Sequence, residues 1–442
     1  MLENFHNFIS SNSIVISASI LILAYIFIAA EKIPKVTIAL LGAGITIILG
    51  LLSQTKMLDG VINPNYFINF VDFNVIFLLV SMMIIVSITT RSGVFNYIAG
   101  QLLKLTKGHP VKILVVLGLF TAVVSAFLDN VTTVILIMPI TFSIAKKLDI
   151  NPIPYLLTEI ISSNIGGTAT LIGDPPNIII GSAGNLSFLD FLNELTGVVF
   201  VILFVVLLIF GFHFRKTLKA SKEKMDEISK IDNSNAIVDF PLMVRSCVVL
   251  ALVILGFVLH DVIHIETSIV AMIGASFLLL FEKPTDILRD VEWNTIFFFI
   301  GLFIIIGGFE ASGGIKLMAQ FILDTVHGSR ELTSFIILWA SGVISGIIDN
   351  IPYTATMAPM VAQIQEVMGR DYAYPLWWCL SLGACLGGNM TIIGAAANVI
   401  VSENASKKGY PISFLGFMKY GVTVVFVSLL ISSIYIYLRF LR

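Results

Sequence analysis

Long apolar runs separated by short polar joints dominate the chain. Eight of them, near 12–30, 36–53, 75–90, 192–213, 246–259, 268–281, 295–309 and 413–438, are long enough, or nearly so, to cross a hydrocarbon layer of about 30 Å as helices. Four further apolar stretches are interrupted. Those at 111–147 and 332–368 carry a polar pair at the middle, Asp129-Asn130 and Asp349-Asn350. The turn Phe127-Leu128-Asp129-Asn130-Val131 has no polar loop around it, which a turn emerging into water would carry. Each stretch therefore reads as a re-entrant hairpin whose tip ends inside the membrane, where non-helical backbone is tolerated only against protein or a wet cavity. The other two, about 153–181 and 374–401, have the length of one crossing. They are broken by Gly166-Gly167-Thr168-Ala169-Thr170-Leu171-Ile172-Gly173-Asp174-Pro175-Pro176-Asn177 and by Gly387-Gly388-Asn389-Met390-Thr391-Ile392-Ile393-Gly394-Ala395-Ala396-Ala397-Asn398. Glycine and proline unwind such a crossing by relaxing φ and removing backbone donors. The second break has no proline and is expected to be the shorter.

The pattern occurs twice. Val71-Asp72-Phe73-Asn74 returns as Val291-Glu292-Trp293-Asn294, and Ser125, Asp129, Asn130 and Pro139 return as Ser345, Asp349, Asn350 and Pro359, all 220 positions on. Gly166, Gly167, Thr170, Gly173 and Asn177 return 221 positions on. Each half holds three crossings, a hairpin that enters and leaves on one side, and two more crossings. Five is odd, so the second half is inverted relative to the first. The expected fold is thus an all-α integral membrane protein built as an inverted repeat. The first repeat is 1–213, with a hairpin at about 111–147 and a broken helix at about 153–181. A cytoplasmic linker, 214–241, leads to the second repeat, 242–442, with a hairpin at about 332–368 and a broken helix at about 374–401.

Composition agrees: hydrophobic residues make up 57% and charged residues 12% of 442, against about 25% charged in soluble domains. The linker carries Arg215, Lys216, Lys219, Lys222, Lys224 and Lys230, which places it inside. Counting outward, Lys32, Lys35, Arg91, Lys104, Lys107, Lys112, Lys146, Lys147, Lys283, Arg289, Lys407 and Lys408 also fall inside. Lys56, Lys316, Arg330, Arg370, Arg439 and Arg442, six of 26 basic residues, fall outside. Both termini are then outside, in a multi-pass protein of the plasma (inner) membrane. The N-terminus lacks the basic residues and small-residue cleavage site of a signal peptide. Cys247, Cys379 and Cys385 have no CxxC spacing and read as small buried hydrophobes. No GxxxxGK[ST] motif is present, nor a nucleophile–base pair or HExxH, so an enzyme is not expected. A separate ATPase subunit is not indicated and no nucleic-acid partner is expected.

The interrupted elements carry the candidate chemistry. Freed carbonyls with Asn and Thr oxygens are hard ligands suited to Na⁺, and half-helix N-termini suit an anion. Asp129, Asp174 and Asp349 have no intramembrane Lys or Arg to pair with and are expected to bind Na⁺ or carry protons. A carboxylate at that depth must bind a cation, carry a proton or be paired. Asp174 is asymmetric, since Ala395 stands in its place, and its alternative role is to cap the helix starting at Pro175. Asp129 and Asp349 have the alternative of satisfying their own turns. Ser163 and Asn164 precede the first break and could line the site. Glu310 is expected to reach water, His260 and His264 to be solvated, and Asp72 and Glu292, with Asn74 and Asn294, to start helices. Glu159 lies in an apolar segment.

The stretches Phe127–Thr133 and Gly166–Asn177 resemble the signatures of the ion transporter superfamily, in the group holding arsenite efflux permeases, NhaD-type antiporters and P-protein-like transporters with a citrate-transporter-like domain. The Gly-Asp-Pro-Pro-Asn form is most similar to the P-protein-like branch. The resemblance implies two hairpins and two broken helices with sites at their tips, a homodimer and elevator-type alternating access. It implies a Na⁺ site at Asn130 with the 166–173 backbone and another at Asn350 with the 388–394 backbone. The site is expected on Asp129, Asn130, Thr133, Asn164, Gly167, Thr168, Thr170, Asp174 and Asn177, and on Asp349, Asn350, Gly388, Asn389, Thr391 and Asn398. The tips lack the Ser-Asn-Thr of the sodium/dicarboxylate branch, which argues against a dicarboxylate substrate. The expected function is H⁺- or Na⁺-coupled secondary transport of a small inorganic or organic anion or oxyacid. A Na⁺/H⁺ antiporter is the alternative and an anion channel a lesser one; no cofactor beyond the coupling ion is implied.

Overall fold

The structure, a computed structural model, describes residues 2–52, 57–58, 61–62, 66–229 and 236–442. Lys56 and Lys230, counted above by side, lie outside the described residues. Helices fill nearly all of these segments. Among the described residues, the strands are one antiparallel pair, Met57–Leu58 with Val61–Ile62.

Helices stand at the ten positions expected to cross the membrane. In the first half they are Ser13–Ala29, Lys35–Ile48, Phe73–Arg91, the broken pair Ile153–Gly167 and Pro175–Gly184, and Phe188–Phe214. In the second they are Phe240–Val258, Thr267–Leu279, Trp293–Ala311, the broken pair Arg370–Gly387 and Ala396–Lys407, and Phe414–Ile436. The hairpins are Pro110–Ser125 with Asn130–Leu148 and Arg330–Ser345 with Asn350–Met368. Asn130–Leu148 is long and apolar enough to cross alone, but its first residue, Asn130, is 5% exposed. The tip is therefore packed in protein, as a hairpin requires.

Outward faces are apolar. On Phe188–Phe214, Phe200, Phe204, Leu208 and Phe212 recur every fourth residue and are exposed, while Leu195, Val198, Ile202, Val206 and Phe210 are buried. Such a stripe would be a liability in water and is at home in lipid.

Packing follows the repeat. The first arm of each hairpin lies on the first piece of its own half's broken helix, Pro110–Ser125 on Ile153–Gly167 and Arg330–Ser345 on Arg370–Gly387. The second arm crosses to the other half: Asn130–Leu148 packs on Ala396–Lys407, and Asn350–Met368 on Pro175–Gly184. A second exchanged pair is Lys35–Ile48 on Trp293–Ala311 and Phe73–Arg91 on Thr267–Leu279. There the helices approach closely, for a Cβ on Gly301 would come 2.6 Å from the Ala39 backbone.

Contacts also sort the helix ends into two groups. Arg91 pairs with Asp290 at 2.7 Å, Lys224 with Asp149 at 2.8 Å, and the Lys408 ammonium stands 4.2 Å from the Phe142 ring centre. At the opposite ends of these helices, Ser268 donates to Asn74 at 3.1 Å and Arg439 pairs with Glu194 at 3.0 Å. This is the grouping that five crossings per half demand.

Candidate functional site

Each break is closed by the same side chains. In the first, Asn177 Nδ2 donates to the carbonyls of Thr168 (3.1 Å) and Thr170 (2.8 Å). Thr170 Oγ1 donates to the Ala126 carbonyl of the hairpin and receives Gly173 N–H at 3.1 Å. In the second, Asn398 Nδ2 donates to Gly388 (2.7 Å) and Thr391 (2.8 Å) carbonyls. Thr391 Oγ1 donates to Gly346 O at 2.6 Å and receives Gly394 N–H at 3.2 Å. Carbonyls released by unwinding must find donors in a dry interior, and one Asn and one Thr per half supply them. These staples explain a correction: the proline-free break spans 388–395 and is not shorter than the first, 168–174. The Asn–Thr pair, present in both, keeps each loop open.

Glycine lets the tips seat against the breaks. A Cβ on Gly167 would meet Asn130 Oδ1 at 2.5 Å and the Gly173 carbonyl at 2.6 Å, whereas at Gly388 the nearest atoms are 3.2 Å away. Asn130 Oδ1 accepts from Ser125 Oγ at 2.8 Å, and its Nδ2 donates to Asn164 Oδ1 at 3.1 Å. Asn164 Nδ2 then reaches the other half, donating to Asn389 Oδ1 (2.9 Å) and Asn398 Oδ1 (3.0 Å). Ser163 Oγ lies 3.1 Å from Ser125 Oγ, and Thr168 Oγ1 turns back to the Asn164 carbonyl at 2.8 Å. Asn350 N–H donates to the Gly394 carbonyl at 3.2 Å. The Thr133 hydroxyl and the Asn389 amide nitrogen are buried without a partner.

Asp129, Asn130, Asp174 and Asn350 line one cavity of about 150 Å³ with Glu292 and Thr295, far above the ~10–15 Å³ that a single water needs. Among the described residues, none that lines it is Lys, Arg or His. Asp129 also caps its helix, accepting Thr132 N–H at 2.9 Å. Asp174 makes no capping bond; its two oxygens take Asn350 Nδ2 at 3.3 and 3.4 Å, joining the halves. Among the described residues, His, Cys, Asp and Glu do not converge in threes as metal ligands, so a cation there would draw on amide and backbone oxygens as well.

Three readings of the sequence change. Asp349 is not without a cation: its carboxylate bonds the Lys35 ammonium, and it does not line the cavity. Lys35, counted as a loop charge, begins the helix Lys35–Ile48, and its partner lies 314 positions away, beyond the reach of any local pattern. Glu292 is not a cap like Asp72, which accepts Asn74 and Val75 N–H at 3.0 and 3.2 Å. Glu292 instead accepts from Thr295 Oγ1 at 3.0 Å and faces the cavity; its match to Asp72 concealed this. Glu159, buried, takes a hydrogen bond from Thr141 on the first hairpin. Glu310 is exposed, as expected.

The sequence matches the Citrate transporter family over residues 25–383. It is 40% identical over 429 residues to an uncharacterized transporter of Mycobacterium tuberculosis, covering 96% of this chain and 98% of that one. It is 40% identical over 430 residues to the 46 kDa membrane protein of Mycobacterium leprae, covering 97% and 99%. The P protein of Homo sapiens is 30% identical over 505 residues, covering 96% of this chain and 59% of that protein.

Proposed function

The chain belongs to the citrate transporter family of membrane transporters, and on that premise we propose that it is a secondary active transporter coupling H⁺ or Na⁺ to the movement of a small inorganic or organic anion or oxyacid. One observation carries this reading. Among the described residues, five helices begin at the cavity: Asn130–Leu148, Pro175–Gly184, Trp293–Ala311, Asn350–Met368 and Ala396–Lys407. Each helix start carries partial positive charge, worth about 0.3–1 kcal/mol to a nearby anion. Beside them Asp129, Asp174 and Glu292 supply negative charge. An anion is therefore repelled until a cation or proton neutralises the carboxylates. Binding of one raises the affinity for the other, and that mutual dependence is what coupling requires.

The interrupted elements of both halves would move together against Phe73–Arg91 and Trp293–Ala311, an elevator-type exchange of access. The division into repeats 1–213 and 242–442 around the linker 214–241, the outer placement of both termini, residence in the plasma (inner) membrane and a homodimeric state belong to the same proposal. So do a Na⁺ site at Asn130 with the 166–173 loop and substrate contacts from the remaining candidate residues; the matching Na⁺ site expected at Asn350 is not kept, because Asp349 beside it already holds the Lys35 ammonium. A Na⁺/H⁺ antiporter is the second reading, favoured by the three carboxylates and the lack of basic side chains in the described lining.

Reconstitution into liposomes with imposed ΔpH or ΔNa⁺ decides, offering arsenite, phosphate, carboxylates including citrate, and Na⁺ alone. Gradient-dependent, saturable uptake of one anion supports the proposal. Na⁺ uptake driven by ΔpH with no anion present transfers it to the antiporter, and large unsaturable currents would indicate a channel.

A further inference from the structure

The two hairpin tips carry the same residues but are neutralised differently. Asp349 is 1% exposed, and its carboxylate is bonded to the ammonium of Lys35, the first residue of a helix from the other half. That helix is fixed against the tip. Tyr25, on the adjoining Ser13–Ala29, donates to the Pro352 carbonyl at 2.6 Å and bonds Thr356. The Asp349 backbone has φ 111° and ψ 132°, where Asp129 has −64° and 155°. Asp129 lines the cavity and Asp349 does not.

The first tip, at Asp129, has no counterpart to Lys35. Thr267–Leu279, which holds the same place in the order of crossings, begins Glu266-Thr267-Ser268. The charged groups lining the cavity with Asp129 are the acids Asp174 and Glu292. The other charges that interact with the Lys35–Asp349 pair are Glu31, which is exposed and screened by solvent, and the buried cavity acid Asp174. A carboxylate buried as deeply as Asp349 needs a positive partner, and Lys35 is a permanent one.

We propose that Lys35 is a tethered internal cation occupying the second of two pseudo-equivalent cation sites, so that only the Asp129 tip exchanges a cation or proton with water. The inference rests on the reading of Asp129 as part of a coupling site, and it fixes one exchangeable cation per chain where the duplicated sequence suggests two. A covalently held charge also cannot be swapped for another ion, so the Asp349 tip adds no ion selectivity of its own.

The test counts exchangeable cations per chain in the purified full-length protein, using radioactive sodium for Na⁺ and unbuffered titration for H⁺. Wild type, Asp129→Asn, Lys35→Met, Lys35→Arg and Lys35→Met/Asp349→Asn are compared. The expected counts are one for wild type and Lys35→Arg, two for Lys35→Met, and one again for the double variant. A wild-type count of two overturns the inference without recourse to any variant, as does a Lys35→Met count that fails to rise. A wild-type count of zero, or one that survives Asp129→Asn, overturns the Asp129 reading instead. A gain in Lys35→Met that the double variant abolishes still upholds the role of Lys35.

Discussion

Asn164 and Cys385 hold equivalent positions in the two halves and make the same reach between them: Asn164 Nδ2 donates to Asn398 Oδ1 at 3.0 Å, and Cys385 Sγ to Asn177 Oδ1 at 3.4 Å. Asn177 and Asn398 are themselves equivalent, and each staples its own break. The pseudo-twofold relation thus passes through a chain of buried amides.

The chain is uneven in strength, which gives a first prediction. Asn164→Ala removes the donor from both Asn389 and Asn398 in a dry interior, at an expected cost of about 1–3 kcal/mol. Cys385→Ala removes only a weak S–H donor, and Asn177 Oδ1 keeps Ser381 Oγ at 2.6 Å. Thermal unfolding of the two variants in detergent should therefore show the larger loss for Asn164→Ala; the reverse order would contradict the geometry.

Thr170→Val and Thr391→Val keep side-chain shape and lose the staple. In each case a carbonyl of the hairpin turn, Ala126 or Gly346, loses its donor and a loop N–H loses its acceptor. Each variant should lose about 1–3 kcal/mol. The two losses should be similar, because the bonds are equivalent. Melting curves check the size, and a neutral effect at either site would show that its break is held otherwise.

Glycine positions separate close approach from mere flexibility. Gly166→Ala would place Cβ 2.1 Å from the Ala122 carbonyl oxygen, a backbone atom that cannot swing aside. It should destabilise the first hairpin and reduce correctly folded yield. Gly44→Ala meets nothing within 4 Å, lies within the helix Lys35–Ile48, and should gain about 0.5–1 kcal/mol. Size-exclusion profiles and melting temperatures of the pair distinguish the two cases.

Glu292 and Asp72 match in sequence and differ in surroundings, so their neutral variants should differ too. Glu292→Gln, like Asp129→Asn, removes charge from the cavity and is expected to alter the Na⁺ or pH dependence of transport several-fold. Asp72→Asn keeps a side-chain oxygen that can cap the same N–H groups, so it should change stability little and leave cation dependence as in wild type. Initial rates in liposomes across Na⁺ and pH series give the comparison. An unchanged dependence in Glu292→Gln would remove it from the site.

The hairpins and breaks were legible because their signals are local. A single Asp-Asn within an unbroken apolar stretch has few explanations, and Gly166-Gly167 or Gly387-Gly388 cannot continue a stable crossing unaided. Duplication supplied the rest by pairing weak signals at a constant offset. What stayed hidden lay in long-range encounters. Lys35 counts as one more interfacial lysine until Asp349 is folded against it, and Glu292, which does stand at a helix start, passes for its cap until the first hairpin arrives. The length of the second break was misjudged because proline was weighed as the cause. The deciding residues were Thr391 and Asn398, whose bonds form only once Gly346, Gly388 and Gly394 are in place.

The amides running from Asn130 through Asn164 to Asn389 and Asn398 have a mechanical meaning. Two lobes sewn together along a shared seam cannot open like the jaws of a vice without exposing that seam to hydrocarbon. Under the proposed elevator-type exchange, a cargo beside Asp174 would travel with both lobes as a single rigid shuttle. On that reading the sliding surface would lie where Asp129 and Asp174 face Leu79, Met83 and Thr295, and the polar bonds to be broken would be those of Lys35 to Asp349, Tyr25 to Pro352 and Ser182 to Asp72.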